Sequence, residues 1–130
     1  MITLDTCALI FDALFPEKLT AAAKKAINQA EKKNELFCSD ICLWEIAMLI
    51  QKKRLDPGAD AETFMRLMLE ARQIQILGIS LKIAALSAAL ATDHLDPADR
   101  IIAATAIQHN AALITCDKKL HRITDLSIIW

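Results

Sequence analysis

Five short apolar runs divide this chain: Met1–Leu4, Leu36–Cys38, Ile74–Ile79, Ala112–Cys116 and Leu126–Trp130. They read as near-continuous apolar segments rather than alternating ones, and stretches of helical length separate them. A strand that is apolar on both faces needs cover on both faces, which is the pattern of a parallel sheet enclosed by helices. The chain is therefore expected to be α/β, a three-layer α/β/α sandwich with a central parallel sheet of about five strands. Helices are expected over 6–14, 19–33, from a Ser39 or Asp40 cap to about 54, over 60–72, from a Ser80 cap to about 91, and from Pro97 to His109. Asp56-Pro57-Gly58 marks a turn.

Composition agrees with that outline. Ala (22 residues) and Leu (18) favour helix, and 17 Ile with no Val supply the strand runs. At 130 residues, 55% apolar and 24% charged, the chain can bury a core as a single domain over 1–130. The net charge of −1 excludes nucleic-acid binding by bulk charge, while leaving room for a local basic patch. No run reaches 18 apolar residues, so no membrane span is expected, and the opening MITLD lacks the basic and small-residue features of a signal peptide. The cysteines Cys7, Cys38, Cys42 and Cys116 form no C-x-x-C pair or zinc spacing. They are expected to be small buried hydrophobes in a reducing cytoplasm.

Carboxylates stand where carboxylates are costly. Asp5 interrupts the apolar opening, Glu45 is the one charge in Ile41–Ile50, Asp99 precedes Ile101-Ile102-Ala103-Ala104, and Asp117 closes the run ending at Cys116. A charge beside so much apolar surface must be paired or bind a metal. Asp5 and Asp117 fall at carboxyl ends of expected strands, where ligand crevices of parallel sheets lie. Asp99 and Glu45 sit in the first and second turns of helices that could open at the same edge. Few basic residues are placed to neutralise them, so a divalent cation is the natural partner, and oxygen-only ligands suit Mg²⁺ or Mn²⁺. Such a site can activate water for attack on a phosphodiester. Each acid also has a plainer reading. Asp5 could cap helix 6–14 and Asp117 the short turn at 118–122, Asp99 could favour a helix dipole, Glu45 could sit in a salt bridge, and Asp96, just before Pro97, suits helix capping best.

These segments resemble the PIN domain family. The resemblance rests on Asp5-Thr6 after the first strand, Ser39-Asp40-Ile41-Cys42-Leu43-Trp44-Glu45-Ile46-Ala47, Asp96-Pro97-Ala98-Asp99-Arg100 and Leu113-Ile114-Thr115-Cys116-Asp117, in order across nearly the whole chain. The variety with an Asp-Pro-x-Asp-Arg signature is nearest, that of VapC-like toxins of toxin–antitoxin pairs. The resemblance implies a Mg²⁺- or Mn²⁺-dependent ribonuclease with Asp5, Glu45, Asp99 and Asp117 as catalytic and metal-holding acids. It places Thr6 and Thr115 at small hydroxyl positions lining the pocket, with Asp96 an extra acid of open role. It also implies a homodimer and a VapB-like antitoxin that enters the active site. Ala98 departs from the pattern, standing where this variety often has an aromatic residue.

An RNA substrate calls for local positive charge. Lys118, Lys119 and Arg122, just after Asp117, are the preferred candidates; Lys52, Lys53 and Arg54 at a helix end are the second group. Aromatic platforms are scarce, which favours a short structured RNA over long single strands. Helix 60–72 spreads Phe64, Met65, Leu67, Met68 and Leu69 over an arc of about 200°, wider than one core face needs, which suggests a groove for a partner helix. His94 could approach the pocket rim. Two other classes compete: a catalytically weak PIN-like binding or scaffold module, which would usually have lost one acid, and a receiver-like phosphoacceptor domain, which would pair two acids after the first strand. No Walker A or G-x-G-x-x-G motif is present.

Overall fold

The apolar runs pair as one parallel sheet. In a computed structural model, which describes residues 1–90 and 95–130, the strands are β1 (Ile2–Leu4), β2 (Leu36–Ser39), β3 (Gln75–Leu77), β4 (Ala112–Ile114) and β5 (Ile128–Ile129). Their spatial order is β3-β2-β1-β4-β5, and every neighbouring pair is parallel. Leu4 stands opposite Cys38 on one side and Ile114 on the other. The helices between them are α1 (Thr6–Leu14), α2 (Ala21–Lys32), α3 (Asp40–Gln51), α4 (Ala61–Arg72), α5 (Leu81–Ala89) and α6 (Pro97–Gln108). The α/β/α architecture is the one expected. The core joins Leu4, Leu36, Leu113 and Ile114 of the sheet to Leu9, Ile27, Ile46 and Ile102 of the helices.

The strands are shorter than their apolar runs. β3 keeps three residues of the six-residue run, and Gln75 and Ile76 are exposed. It is an edge strand, so the expectation of burial on both faces fails there; an edge has a neighbour on one side only.

Each of these six helices starts on a side-chain cap. Asp5, Thr20, Ser39, Asp60, Ser80 and Asp96 accept from backbone N–H groups of their first turns. With only two glycines in the chain, helices end by another route. Asn34, Lys53, Gln73 and Asn110 adopt left-handed φ values of 52–58°. The next residue's N–H then reaches back into the last turn, as in Ile74 N–H to Leu69 O at 2.9 Å and Ala111 N–H to Ala106 O at 2.9 Å. After Asn34, Gln73 and Asn110 this turn delivers the chain within two residues to β2, β3 and β4.

Arg72 locks the last turn of α4 to α1 and α2. Its guanidinium donates two bonds to Asp12, at 2.9 and 3.1 Å, one to Glu31 at 2.9 Å and one to Asn28 at 2.8 Å. Beside this clamp, a groove of about 310 Å³ runs between α1 and α4, lined by Leu14, Phe64, Leu67 and Met68. Phe64 and Met68 are buried, whereas Leu67 remains 58% exposed. The wide apolar arc of this helix thus covers the core and also faces outward. Among the described residues, no helix is long and apolar enough to cross a membrane.

Candidate active site

The chain winds outward from β1 to β2 and β3, then returns to the other side of β1. The strand order therefore reverses between β1 and β4, and in an open parallel sheet the crevice lies beyond the carboxyl ends at that reversal. Asp5 directly follows β1 and Asp117 lies just beyond β4. The Asp5 N–H donates to the Ile114 carbonyl at 3.2 Å, so both connections leave the sheet together.

Asp5 is buried, at 5% exposure. It caps α1, accepting from the Ala8 N–H at 2.8 Å, so its capping role is real and coexists with its place in the crevice. Burial pushes its carboxyl above the ordinary range, against the bonds from Thr115 and Ala8; the Asp117 charge pushes it further. Glu45 arrives from the second turn of α3. Its Oε1 accepts from the Thr6 hydroxyl. Burial raises its pKa too; the Thr6 bond opposes this, and the charges of Asp96 and Asp5 reinforce it.

Asp99 and Asp96 come from the start of α6. Asp96 caps the helix, accepting from the Asp99 N–H at 2.8 Å, as its position before Pro97 predicts. Asp99 is pushed up to about 7, by burial first and then by the charges of Asp96, Glu45, Asp117 and Asp5. Asp117 is half-buried; its Oδ1 accepts from the Lys119 N–H at 2.9 Å and its own N–H donates to Thr115 Oγ1 at 3.0 Å. Thr115 is fully buried, and Thr6 nearly so. The four acids singled out from sequence, with Asp96 and the two threonines, therefore meet at one crevice and act on one another electrostatically.

No Lys or Arg forms an ion pair with any of these five acids among the described residues. Arg100, next to Asp99, donates to the Leu90 carbonyl at 2.7 Å. A donor set of carboxylate and hydroxyl oxygens without a counter-cation fits a hard divalent ion. Among the described residues no three acidic, His or Cys side chains are already drawn into a closed coordination shell, so the fit lies in donor chemistry and charge.

Lys118, Lys119 and Arg122 lie beside Asp117, and all three are exposed. His94 lies outside the described residues. Cys38 and Cys42 are buried, as expected, and Cys116 is half-buried; Cys7 is exposed, correcting the expectation for it. Cys7 sits in the first turn of α1, where the helix presents it toward the crevice mouth rather than the core. Crowding of its sulfur by neighbouring atoms, despite the exposure of the residue, and the charges of Asp5, Cys116, Glu45 and Asp99 raise its thiol above the ordinary range. Sequence reasoning also passed over Trp44. This residue is 59% exposed and lines a groove of about 300 Å³ together with Glu45, Lys52, Arg54 and Asp96. Its adjacency to Glu45 on one helix was the available clue.

The sequence matches the PIN domain family over residues 2–126. It is 31% identical to Ribonuclease VapC22 of Mycobacterium tuberculosis, over 99% of this chain and 98% of that protein. Among solved structures, VapBC2 from Rickettsia felis bound to a promoter DNA fragment superposes with a TM-score of 0.77 at 22% identity, covering 98% of this chain and 97% of that one. A toxin–antitoxin complex from Klebsiella pneumoniae gives 0.67 at 27% identity, covering 97% and 95%. Four acids and two threonines at the switch point of a parallel sheet, together with these likenesses, place the chain in the PIN domain family, among its VapC-like toxins.

Proposed function

We propose that this chain is a Mg²⁺- or Mn²⁺-dependent endoribonuclease that cleaves RNA phosphodiester bonds in the cytoplasm. We propose further that a VapB-like antitoxin neutralises it and that it works as a homodimer. The observation that carries the reading is the set of five mutually repelling carboxylates at the sheet's switch point, none of them ion-paired to a Lys or Arg among the described residues. The relative named a ribonuclease and the neighbours described as toxin–antitoxin complexes support it.

Asp5, Glu45, Asp99 and Asp117 would hold the ion. When bound, such an ion supplies Lewis-acid charge and lowers the pKa of water, the chemistry that phosphodiester hydrolysis needs. The chain's own residues do the rest. Thr6 fixes Glu45 through its hydroxyl, and Thr115 fixes Asp5. Asp99, raised by burial and by its neighbours' charges in the metal-free site, would give up its proton as a cation binds. Asp96 caps α6 and raises Asp99 through its charge. Lys118, Lys119 and Arg122 lie on the Asp117 side, where RNA phosphates would pass. The apolar groove between α1 and α4 is the surface on which an antitoxin helix would lie.

The test is cleavage of a total RNA preparation by purified, antitoxin-free protein in Mg²⁺ or Mn²⁺. Cleavage is expected to vanish in EDTA and in Asp5→Ala. A folded protein that binds either ion yet cleaves no RNA in that preparation would overturn the reading.

A further inference from the structure

The groove along α3 opens from the acid cluster and changes character along its length. Glu45 and Asp96 stand at the crevice end, and both act electrostatically on Asp99. Trp44, Met48 and Leu49 form its apolar wall. Lys52 and Arg54 close the far end. Trp44 and Lys52 are eight residues apart on a nearly continuous helical path, about 12 Å along the axis. Neither Lys52 nor Arg54 forms an ion pair among the described residues, and the Trp44 indole is exposed without a hydrogen bond there.

This arrangement has a local structural reading: cations at a helix C-terminus favour the dipole. That reading explains Lys52 and Arg54 but not an indole left 59% exposed one residue from Glu45. The left-handed turn at Lys53, φ 58°, folds Arg54 back so that its N–H reaches Leu49 O at 2.9 Å. That turn is what brings Arg54 to the wall that Lys52 already lines. A second copy of the chain is a poorer occupant. A stable interface buries about 800 Å² on each partner, and Trp44, Met48 and Leu49 in a groove ending in charges of both signs do not supply it.

We propose that this groove is a nucleotide subsite of the active site. Trp44 stacks a base of single-stranded RNA adjacent to the scissile phosphate, and Lys52 and Arg54 hold the backbone phosphate beyond it. The inference rests on the nuclease reading for its substrate class and adds the path of the strand. That path runs along α3, in addition to the Lys118–Arg122 side. A single platform suits one base splayed from a loop or end, because stacking needs an unpaired face.

The test is binding, read by fluorescence anisotropy with a labelled single-stranded RNA dodecamer of randomised sequence, in Mg²⁺ with the non-cleaving Asp5→Ala background. Trp44→Ala is expected to weaken binding by about 5- to 150-fold, the range for loss of one stacked base. Trp44→Phe should recover most of it. Lys52→Ala and Arg54→Ala should each weaken binding and reduce the salt slope by about one. Binding and salt slope unchanged in all three alanine variants would overturn the subsite. A Trp44→Ala protein that changes sedimentation but not RNA affinity would overturn it as well, assigning the indole to an interface between copies. Failure of the nuclease reading looks different: the wild-type protein would bind the dodecamer through Trp44 and leave all RNA intact in either metal.

Discussion

Acidic side chains gather in two places in this molecule, with opposite outcomes. Between α1, α2 and α4, Asp12 and Glu31 share Arg72, which satisfies them with three charge-assisted bonds of 2.9–3.1 Å. At the carboxyl ends of β1 and β4, Asp5, Glu45, Asp96, Asp99 and Asp117 have no ion-paired base among the described residues, and Asp99 is driven up to about 7. The chain can place an arginine against acids when the task is to hold helices together. At the crevice no such arginine is placed among the described residues, which is the arrangement that the proposed cation requires.

That contrast can be broken first by activity. Asp99→Ala should lower RNA cleavage by roughly a hundredfold or more, since the charge it helps to hold is worth several kcal/mol at the transition state. Asp12→Ala, also the loss of a largely buried acid, should leave the cleavage rate of folded protein unchanged. Equal losses in the two variants, measured on the same RNA, would erase the distinction.

Stability should answer the other way. Arg72→Ala leaves Asp12, whose side chain is 7% exposed, without its partner. It should destabilise the fold by about 2 kcal/mol in urea unfolding, below the value for a fully buried pair because Arg72 is partly exposed. An unchanged midpoint would show that the clamp is ornamental.

The acidity of the crevice gives a pH signature. Asp99 has a folded pKa of about 7 against an ordinary value of 3.8, so the folded state binds a proton that the unfolded state has lost. Stability is then fully present below about 3.8 and declines as pH rises to about 7. Metal-free protein should melt at a higher temperature at pH 5 than at pH 8, and Asp99→Asn should flatten the difference. Mg²⁺ should raise the melting temperature more at pH 8, where the acids are ionised. A wild-type melting temperature flat from pH 5 to 8 in EDTA would count against the strain.

The smallest effect belongs to Asp96→Asn, which keeps the capping oxygen for α6 and removes the charge nearest in influence to Asp99. Helix stability should hold to within about 0.5 kcal/mol, since Asn and Asp cap almost equally. The pKa of Asp99, followed by carboxyl NMR, should fall. No movement of that pKa would mean that burial and the other three carboxylates set it without Asp96.

Much of this was legible in the residues. The strand runs pointed to a parallel sheet because continuous Ile and Leu segments demand cover on both faces. The site acids stood out because Asp5 and Glu45 interrupt such segments at a cost that a fold does not accept without a partner. Helix caps were readable where local chemistry decides them, as at Ser80, and at Asp96 before Pro97. What stayed hidden depends on distant pairing. Arg72 meets Asp12 across 60 residues, and nothing in either neighbourhood announces it. The exposure of β3 depends on strand order, which local pattern does not encode. Trp44 read as one more apolar residue in the Ile41–Ile50 run, because helix phase alone does not say that its face is left open beside Glu45.

Placing β1 at the centre of the sheet has a consequence for synthesis. Asp5 is among the first residues of this segment to leave the ribosome, yet its backbone is bonded to Ile114 and its strand is flanked by β4. A nascent chain that has not reached residue 114 holds the first site acid on a strand with one open edge, and Asp117 is still to come. Such long-range pairing also folds slowly. The crevice is consequently assembled only after nearly all of this domain has been made, so an interrupted chain carries no complete set of acids. For a protein read as a toxin, unfinished copies would be harmless by topology.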